Sequence, residues 1–219
     1  MNLDGKKIIF LGDSITRGCG TSGRDAFFTT LLQRDCHLAL ARNYGIAGTR
    51  YARQKKPSAV LFFDLDFCMR AGTMRKDADI VVVFGGTNDF GHGDAPFGTD
   101  SDRTPATFCG ACHFLYQELK TRYPEAVIVI IPPLHRTGED NPLGDGSKKS
   151  PCPPLSAYVE QICRTAAQYS LPVLDLYHAG VLDPNDPQVM EEYVPDGLHP
   201  NDAGHAILAE KIREFLESL

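Results

Sequence analysis

Long hydrophobic runs are missing from this sequence: the longest, "IVVVF" from Ile80 and "VIVII" from Val127, are far shorter than the roughly 20 residues a membrane helix needs. Basic clusters are missing too. No run of Lys or Arg exceeds a pair, and 22 basic against 28 acidic residues give a formal charge of −6. A nucleic-acid surface needs clustered cations to neutralise phosphates, so partners of that kind are excluded. The opening "MNLDGKKIIFLGDS" lacks the long apolar region of a secretory signal, which makes a cytoplasmic protein the expectation. No internal repeat is visible, and no Walker pattern follows the first apolar run, so the P-loop type of nucleotide cradle drops out.

A disulfide framework is also lacking. The seven cysteines are odd in number and scattered among apolar segments, which predicts reduced thiols. Cys109, Cys112 and His113 spell C-x-x-C-H, a haem-attachment or metal pattern in other settings. Here the pattern lies within a helical periodicity of Phe108, Cys112, Leu115 and Leu119, so buried, unreactive helix cysteines are predicted and no metal is assigned.

What is present is an alternation of strand and helix patterns. Lys7 to Leu11 reads as a strand stopped by Gly12, and Asp25 to Arg34 as a helix with Phe27, Phe28, Leu31 and Leu32 on its apolar face. A short strand ending at Asn43 leads into a Gly-rich turn at Gly45 and Gly48. Ser58 to Met69 is read as a helix from Val60, Phe63 and Phe67. "DIVVVF" and "AVIVIIPP" are buried strands separated by a helix near Phe108 to Tyr123. A helix from Leu155 to Tyr169, a fifth strand "PVLDLY" and a last helix from Asp202 to Leu219 complete the order. The expected fold is α/β: a three-layer α/β/α sandwich around a five-stranded parallel sheet, one domain over residues 1–219. Two irregular stretches, 91–104 and 135–154, follow strand ends and are candidates for the rim of a binding site.

Chemistry-bearing residues gather after those strand ends. In "GDSIT", Asp13 or Ser14 can cap the next helix, and Ser14 becomes a nucleophile only if a base takes its proton. A base stands near the other terminus, in "DGLHP", where Asp196 precedes His199 by three residues. A turn there can bring the carboxylate to Nδ1, fixing the tautomer and stabilising the imidazolium. His205 and His92 remain as further candidates. Asn88 in "GGTND" and Gly48 in "NYGIAG" offer an amide and a backbone N–H that can hold an oxyanion.

These four blocks, in this order, resemble those of the SGNH hydrolases, the GDSL-type esterases and lipases. Ser14, Gly48, Asn88 and His199 stand at the four naming positions, with Ile15 where the first motif has Leu. The family's aromatic contact near the first turn is not evident. The resemblance implies a flavodoxin-like fold and a carboxylic ester hydrolase that needs no cofactor. Ser14 would be nucleophile, His199 base and Asp196 orienting acid, with an oxyanion hole from Ser14, Gly48 and Asn88. Asp13, Asp89, His92 and Asp94 are candidate substrate contacts, and Asp13 is also read as a structural residue of its turn. Short-acyl or acetyl esters of small polar or carbohydrate alcohols are the expected substrates. The alternatives are a lysophospholipase or thioesterase of the same family, or a ligand-binding module without catalysis on the same fold.

Overall fold

The apolar runs after Lys7, Asp79 and Ala126 form the centre of a parallel sheet. In the computed structural model, which describes residues 1–219, the strands are β1 (Lys7–Gly12), β2 (Leu40–Gly45), β3 (Ile80–Phe84) and β4 (Val127–Ile131), in the order β2-β1-β3-β4. Ile8 pairs with Ala41 on one side and Ile80 on the other. Eight helices complete the chain: α1 (Ser14–Arg17), α2 (Phe28–Asp35), α3 (Phe67–Ala71), α4 (Thr87–Gly91), α5 (Phe108–Arg122), α6 (Leu155–Gln168), α7 (Pro187–Tyr193) and α8 (Asp202–Ser218). None is long and apolar enough to cross a membrane.

Successive strand residues point to opposite faces, and each face has its own core. Ile9, Leu11, Val81, Val83, Ile128 and Ile130 pack with residues of α3, α5 and α6. Ile8, Phe10, Ile80, Val82, Phe84 and Ile131 pack with residues of α2 and α8. The central strands are therefore buried on both sides, which is why they read as unbroken apolar runs.

Three expectations need correction. The sheet has four strands, because the expected fifth is reduced to one parallel bridge between Val173 and Ile130. Pro172 has no N–H to donate, and Asp175 turns the chain away by accepting the His178 N–H at 3.0 Å. The helix expected over 58–69 is not continuous: Leu61–Asp64 form a 3₁₀ turn, and α3 begins at Phe67 behind Asp66, which caps the Met69 N–H at 2.7 Å. Arg50 holds that segment as a loop, donating to Phe63 O at 2.8 Å and to Asp64 at 3.3 Å. The helix expected from Asp25 begins at Phe28, after a 3₁₀ turn at Arg24–Ala26.

Cys109 and Cys112 are buried on α5, and all seven thiols are free. Burial pushes the Cys109 thiol up to about 11, so it stays protonated. The two long loops are pinned rather than loose. Asp100 accepts from Gln161 at 3.1 Å, Gln168 at 3.0 Å and His113 at 3.3 Å, and the glutamine bonds hold its carboxyl down at about 2. Lys148 Nζ spans the loops, donating to the carbonyls of Asp89 and Gly93 at 2.7 Å each.

His205 sits fully buried on α8, stacked on Phe28, and its Nδ1 accepts the Phe28 N–H at 3.1 Å. Burial holds its imidazole down at about 4, below the unfolded value of about 6.5. The unfolded chain therefore takes the proton first as pH falls, and the stability His205 contributes is present above about 6.5 and lost toward 4. Relative to His205→Asn, wild-type stability should fall by roughly 2 kcal/mol between pH 8 and pH 5. Urea unfolding of both proteins at the two pH values measures this, and the other titrating groups cancel in the difference. A difference independent of pH would contradict it.

Candidate active site

All four strands end at one edge, and the chain after each must turn there. At the end of β1, Gly12 leaves no room for a side chain: a Cβ would lie 1.9 Å from Thr16 Oγ1 and 2.8 Å from Phe84 O. The chain turns at once into α1, with Asp13 as its cap, accepting the Ile15 N–H at 3.0 Å. Ser14 is the first helical residue and is 5% exposed.

His199 arrives from the turn before α8. Asn201 caps that helix through the Gly204 N–H at 3.1 Å, and Asp202 binds the Ser22 N–H and hydroxyl at 2.7 and 2.6 Å. These bonds tie the histidine's turn to the loop that follows Ser14. Nε2 of His199 lies 2.9 Å from Ser14 Oγ, and Nδ1 lies 2.7 Å from Asp196 Oδ2. Asp196 Oδ1 accepts the N–H groups of Leu198 and His199 at 2.9 and 2.6 Å. Burial alone would raise this carboxyl, but the bonds from His199 and Leu198 outweigh it and hold it below the usual carboxylate range. A histidine placed between a hydroxyl and an ionised carboxylate can take the hydroxyl proton.

Spacing alone does not single out this pair. Asp175 and His178 repeat it, with Nδ1 at 2.7 Å from the carboxylate. Only His199 has a serine hydroxyl on its far nitrogen. Of the other histidine candidates, His205 lies in the core between α2 and α8, whereas His92 caps the C-terminal end of α4 beside Asn88.

The donors expected to serve an oxyanion also stand at this edge. Asn88 is on α4, one turn past β3, and its Nδ2 donates to Thr49 O at 3.0 Å. Gly48 has φ +74°, and Phe63 covers it so closely that a Cβ would lie 2.2 Å from the ring. The N–H groups of Ser14 and Gly48 donate to no protein acceptor.

The four candidate substrate contacts are placed differently from one another. Asp13 is buried, with Oδ1 on Ile15 and Oδ2 without a partner, and burial pushes it up to about 6. Asp89 is 4% exposed and both its oxygens are taken, by the N–H groups of Tyr51 and Ala52 at 2.9 Å, so none is left for a ligand. Burial, opposed by those two bonds, pushes it up to about 7. His92 has both ring nitrogens engaged, by Arg50 and Asn88. Asp94 braces the turn at Lys55 and Lys56 by accepting both N–H groups. It also lines a cavity of about 500 Å³, together with His92, Lys55, Lys56, Lys149 and Tyr158.

Two buried arginines at this edge escape a reading by motif. Arg70 donates to Gly12 O at 3.0 Å and Thr49 Oγ1 at 2.8 Å, and Arg50 to His92. Arg50 directly follows the Gly48 turn, the one sequence cue that could have drawn notice to it. No three His, Cys, Asp or Glu side chains converge as a metal ion would require.

The sequence profile of the GDSL-like Lipase/Acylhydrolase family matches residues 10–207. The chain belongs to this family and is a carboxylic ester hydrolase. Among solved structures, a Lactobacillus plantarum protein is 29% identical, with TM-score 0.82 and 98% of each chain covered. A member of the lipolytic G-D-S-L family from Veillonella parvula DSM 2008 shares the fold at 20% identity and TM-score 0.62, covering 97% of this chain and 99% of that one. So does the acetyl xylan esterase AlAXEase, at 23% identity and TM-score 0.62, covering 95% and 98%. No curated protein matches the sequence.

Gly48→Ala should lower stability by about 1–2 kcal/mol through its left-handed backbone, and further through collision with Phe63. Introduced into a Phe63→Ala background, the same substitution should cost only the backbone part. Urea denaturation of the four proteins separates the two contributions. Equal costs in both backgrounds would show that Phe63 does not press on Gly48.

Proposed function

We propose that this protein hydrolyses short-acyl esters of polar alcohols through a covalent acyl-enzyme on Ser14. The observation that carries the reading is the 2.9 Å contact between Ser14 Oγ and His199 Nε2, with Asp196 behind the imidazole. Ser14 attacks the ester carbonyl as His199 takes its proton. The oxyanion is held by the Ser14 and Gly48 N–H groups and the Asn88 amide, and His199 then protonates the departing alcohol. Water repeats the cycle on the acyl-enzyme. Asp196, kept ionised, stabilises the imidazolium in both halves.

The substrate class is inferred from the cavity that His92 lines, which reaches the site through the His92–Asn88 contact at 3.2 Å and not through Ser14 or His199. Lys55, Lys56, Lys149, Asp94, Ser147 and Ser150 are among its lining residues, which suits a hydrated alcohol such as a carbohydrate better than a long alkyl chain. The acetyl xylan esterase named above is related through its fold, so the weight of this reading falls on the cavity.

A fluorophosphonate probe should add one label to the intact protein, mapped to Ser14, and none to Ser14→Ala. Asn88→Ala should label and turn over more slowly, with kcat reduced by about 10²–10³. A p-nitrophenyl ester series from acetate to palmitate should favour acetate, and acetylated sugars should be cleaved. Wild-type turnover by Ser14→Ala would sink the catalytic reading, and a palmitate preference would sink the substrate reading alone.

A further inference from the structure

His92 lies one helical turn after Asn88, as the C-terminal cap of α4, which puts the two side chains side by side. Its Nδ1 is 3.1 Å from Arg50 Nη1 and its Nε2 is 3.2 Å from Asn88 Oδ1. A guanidinium can only donate, so Nδ1 must be an acceptor. The ring proton therefore sits on Nε2 and points at the Asn88 carbonyl oxygen. With Oδ1 occupied in this way, Nδ2 faces the other direction, where it donates to Thr49 O at 3.0 Å and keeps a second N–H free. A flipped amide would lose both bonds and turn its oxygen toward the place where negative charge develops.

Arg50 is itself fixed. Its side chain is 3% exposed, and Nη2 donates to Ser58 Oγ at 2.9 Å, Phe63 O at 2.8 Å and Asp64 at 3.3 Å. Phe63 packs on the His92 ring at 5.5 Å between centroids and also covers Gly48. Burial first, and then the Arg50 and Arg136 charges with Lys148, hold the imidazole down at about 4 against the opposing pull of Asp145. The ring is thus neutral at working pH.

We infer that His92, set as its Nε2–H tautomer by Arg50, is a positioning residue that orients the Asn88 amide as an oxyanion donor. It acts on the oxyanion through Asn88. The inference rests on the oxyanion role proposed for Asn88, and the test separates the two.

His92→Phe keeps the stacking on Phe63 and removes the donor. Its kcat for p-nitrophenyl acetate should fall about tenfold with KM within about twofold of wild type, a part of the 10²–10³ that loss of the donor itself costs. His92→Gln, which retains a donor and an acceptor, should recover most of that turnover. In an Asn88→Ala background, His92→Phe should change kcat by less than twofold, because the amide it orients is gone. Losses that multiply, or wild-type turnover in His92→Phe, would overturn the positioning role. Wild-type turnover in Asn88→Ala would instead overturn the oxyanion role itself, and the inference with it. Nitrogen NMR of the wild-type protein at pH 7 decides the tautomer independently of any variant's folding. Nε2 should carry the proton and Nδ1 should not, and either the reverse or an imidazolium would overturn the inference.

Discussion

A single buried guanidinium at the carboxyl edge of the sheet holds together the ends on which everything else stands. Parallel strands finish with carbonyls that their neighbours do not pair, and at a buried edge each needs a donor. Arg70 supplies several at once: Nη2 to Gly12 O and Thr49 Oγ1, Nη1 to Tyr44 O, and Nε to Leu65 O. It thereby links the end of β1, the end of β2, the Gly48 turn and the start of α3, with its guanidinium over the Phe67 ring at 4.9 Å. No carboxylate lies within ion-pair distance, so carbonyl and hydroxyl oxygens do the solvating. Burial lowers its pKa to about 10, against the pull of Asp13 and Asp66, and it remains charged at neutral pH. Ser14, one residue beyond Asp13, is placed by a strand end that Arg70 fixes.

How much of this could be read beforehand depended on whether a residue's partners are local in sequence. Strands β1, β3 and β4 were legible because burial on both faces writes an unbroken apolar run. Ser14, Gly48, Asn88 and His199 were legible because each sits in a short block whose residue types are unusual in combination. Arg50 and Arg70 left no comparable trace, since most of their partners lie 13 to 58 residues away and a lone arginine usually marks a solvated surface. The fifth strand failed for a local reason that its β-branched content masked, with Pro172 and Asp175 cutting the ladder to one bridge. The 58–69 helix failed because Arg50 and Asp64 capture its backbone, a tertiary override of a helical pattern.

The loops beyond the sheet edge show the same preference for polar ties over apolar packing. Asp100 gathers three donors from α5 and α6, Lys148 takes two carbonyls of the 89–93 segment, and Thr137 N–H bonds Gly197 O at 2.9 Å beside the His199 turn. Such bonds satisfy backbone groups that surface loops cannot cover with hydrocarbon. They also fix the loops in advance, so that if these loops wall the proposed site, less ordering remains to oppose binding.

The charges nearest the proposed chemistry are arranged to offset one another. Two buried carboxyls, Asp13 and Asp89, flank the cleft, and an unopposed anion at either place would repel a developing oxyanion. Burial shifts both carboxyls toward the neutral form, opposed at Asp13 by the charges of His199 and then Arg70, and at Asp89 by Arg50 and then Lys148. With that background field reduced, the proposed oxyanion site is left to fixed dipoles: the free N–H groups of Ser14 and Gly48 and the Asn88 amide. Fixed dipoles stabilise charge at no cost in reorganisation only if they already point the right way. Arg50 thus has two contacts with this arrangement, its charge opposite Asp89 and its hydrogen bond to the ring of His92, through which the proposed orientation of Asn88 would be set.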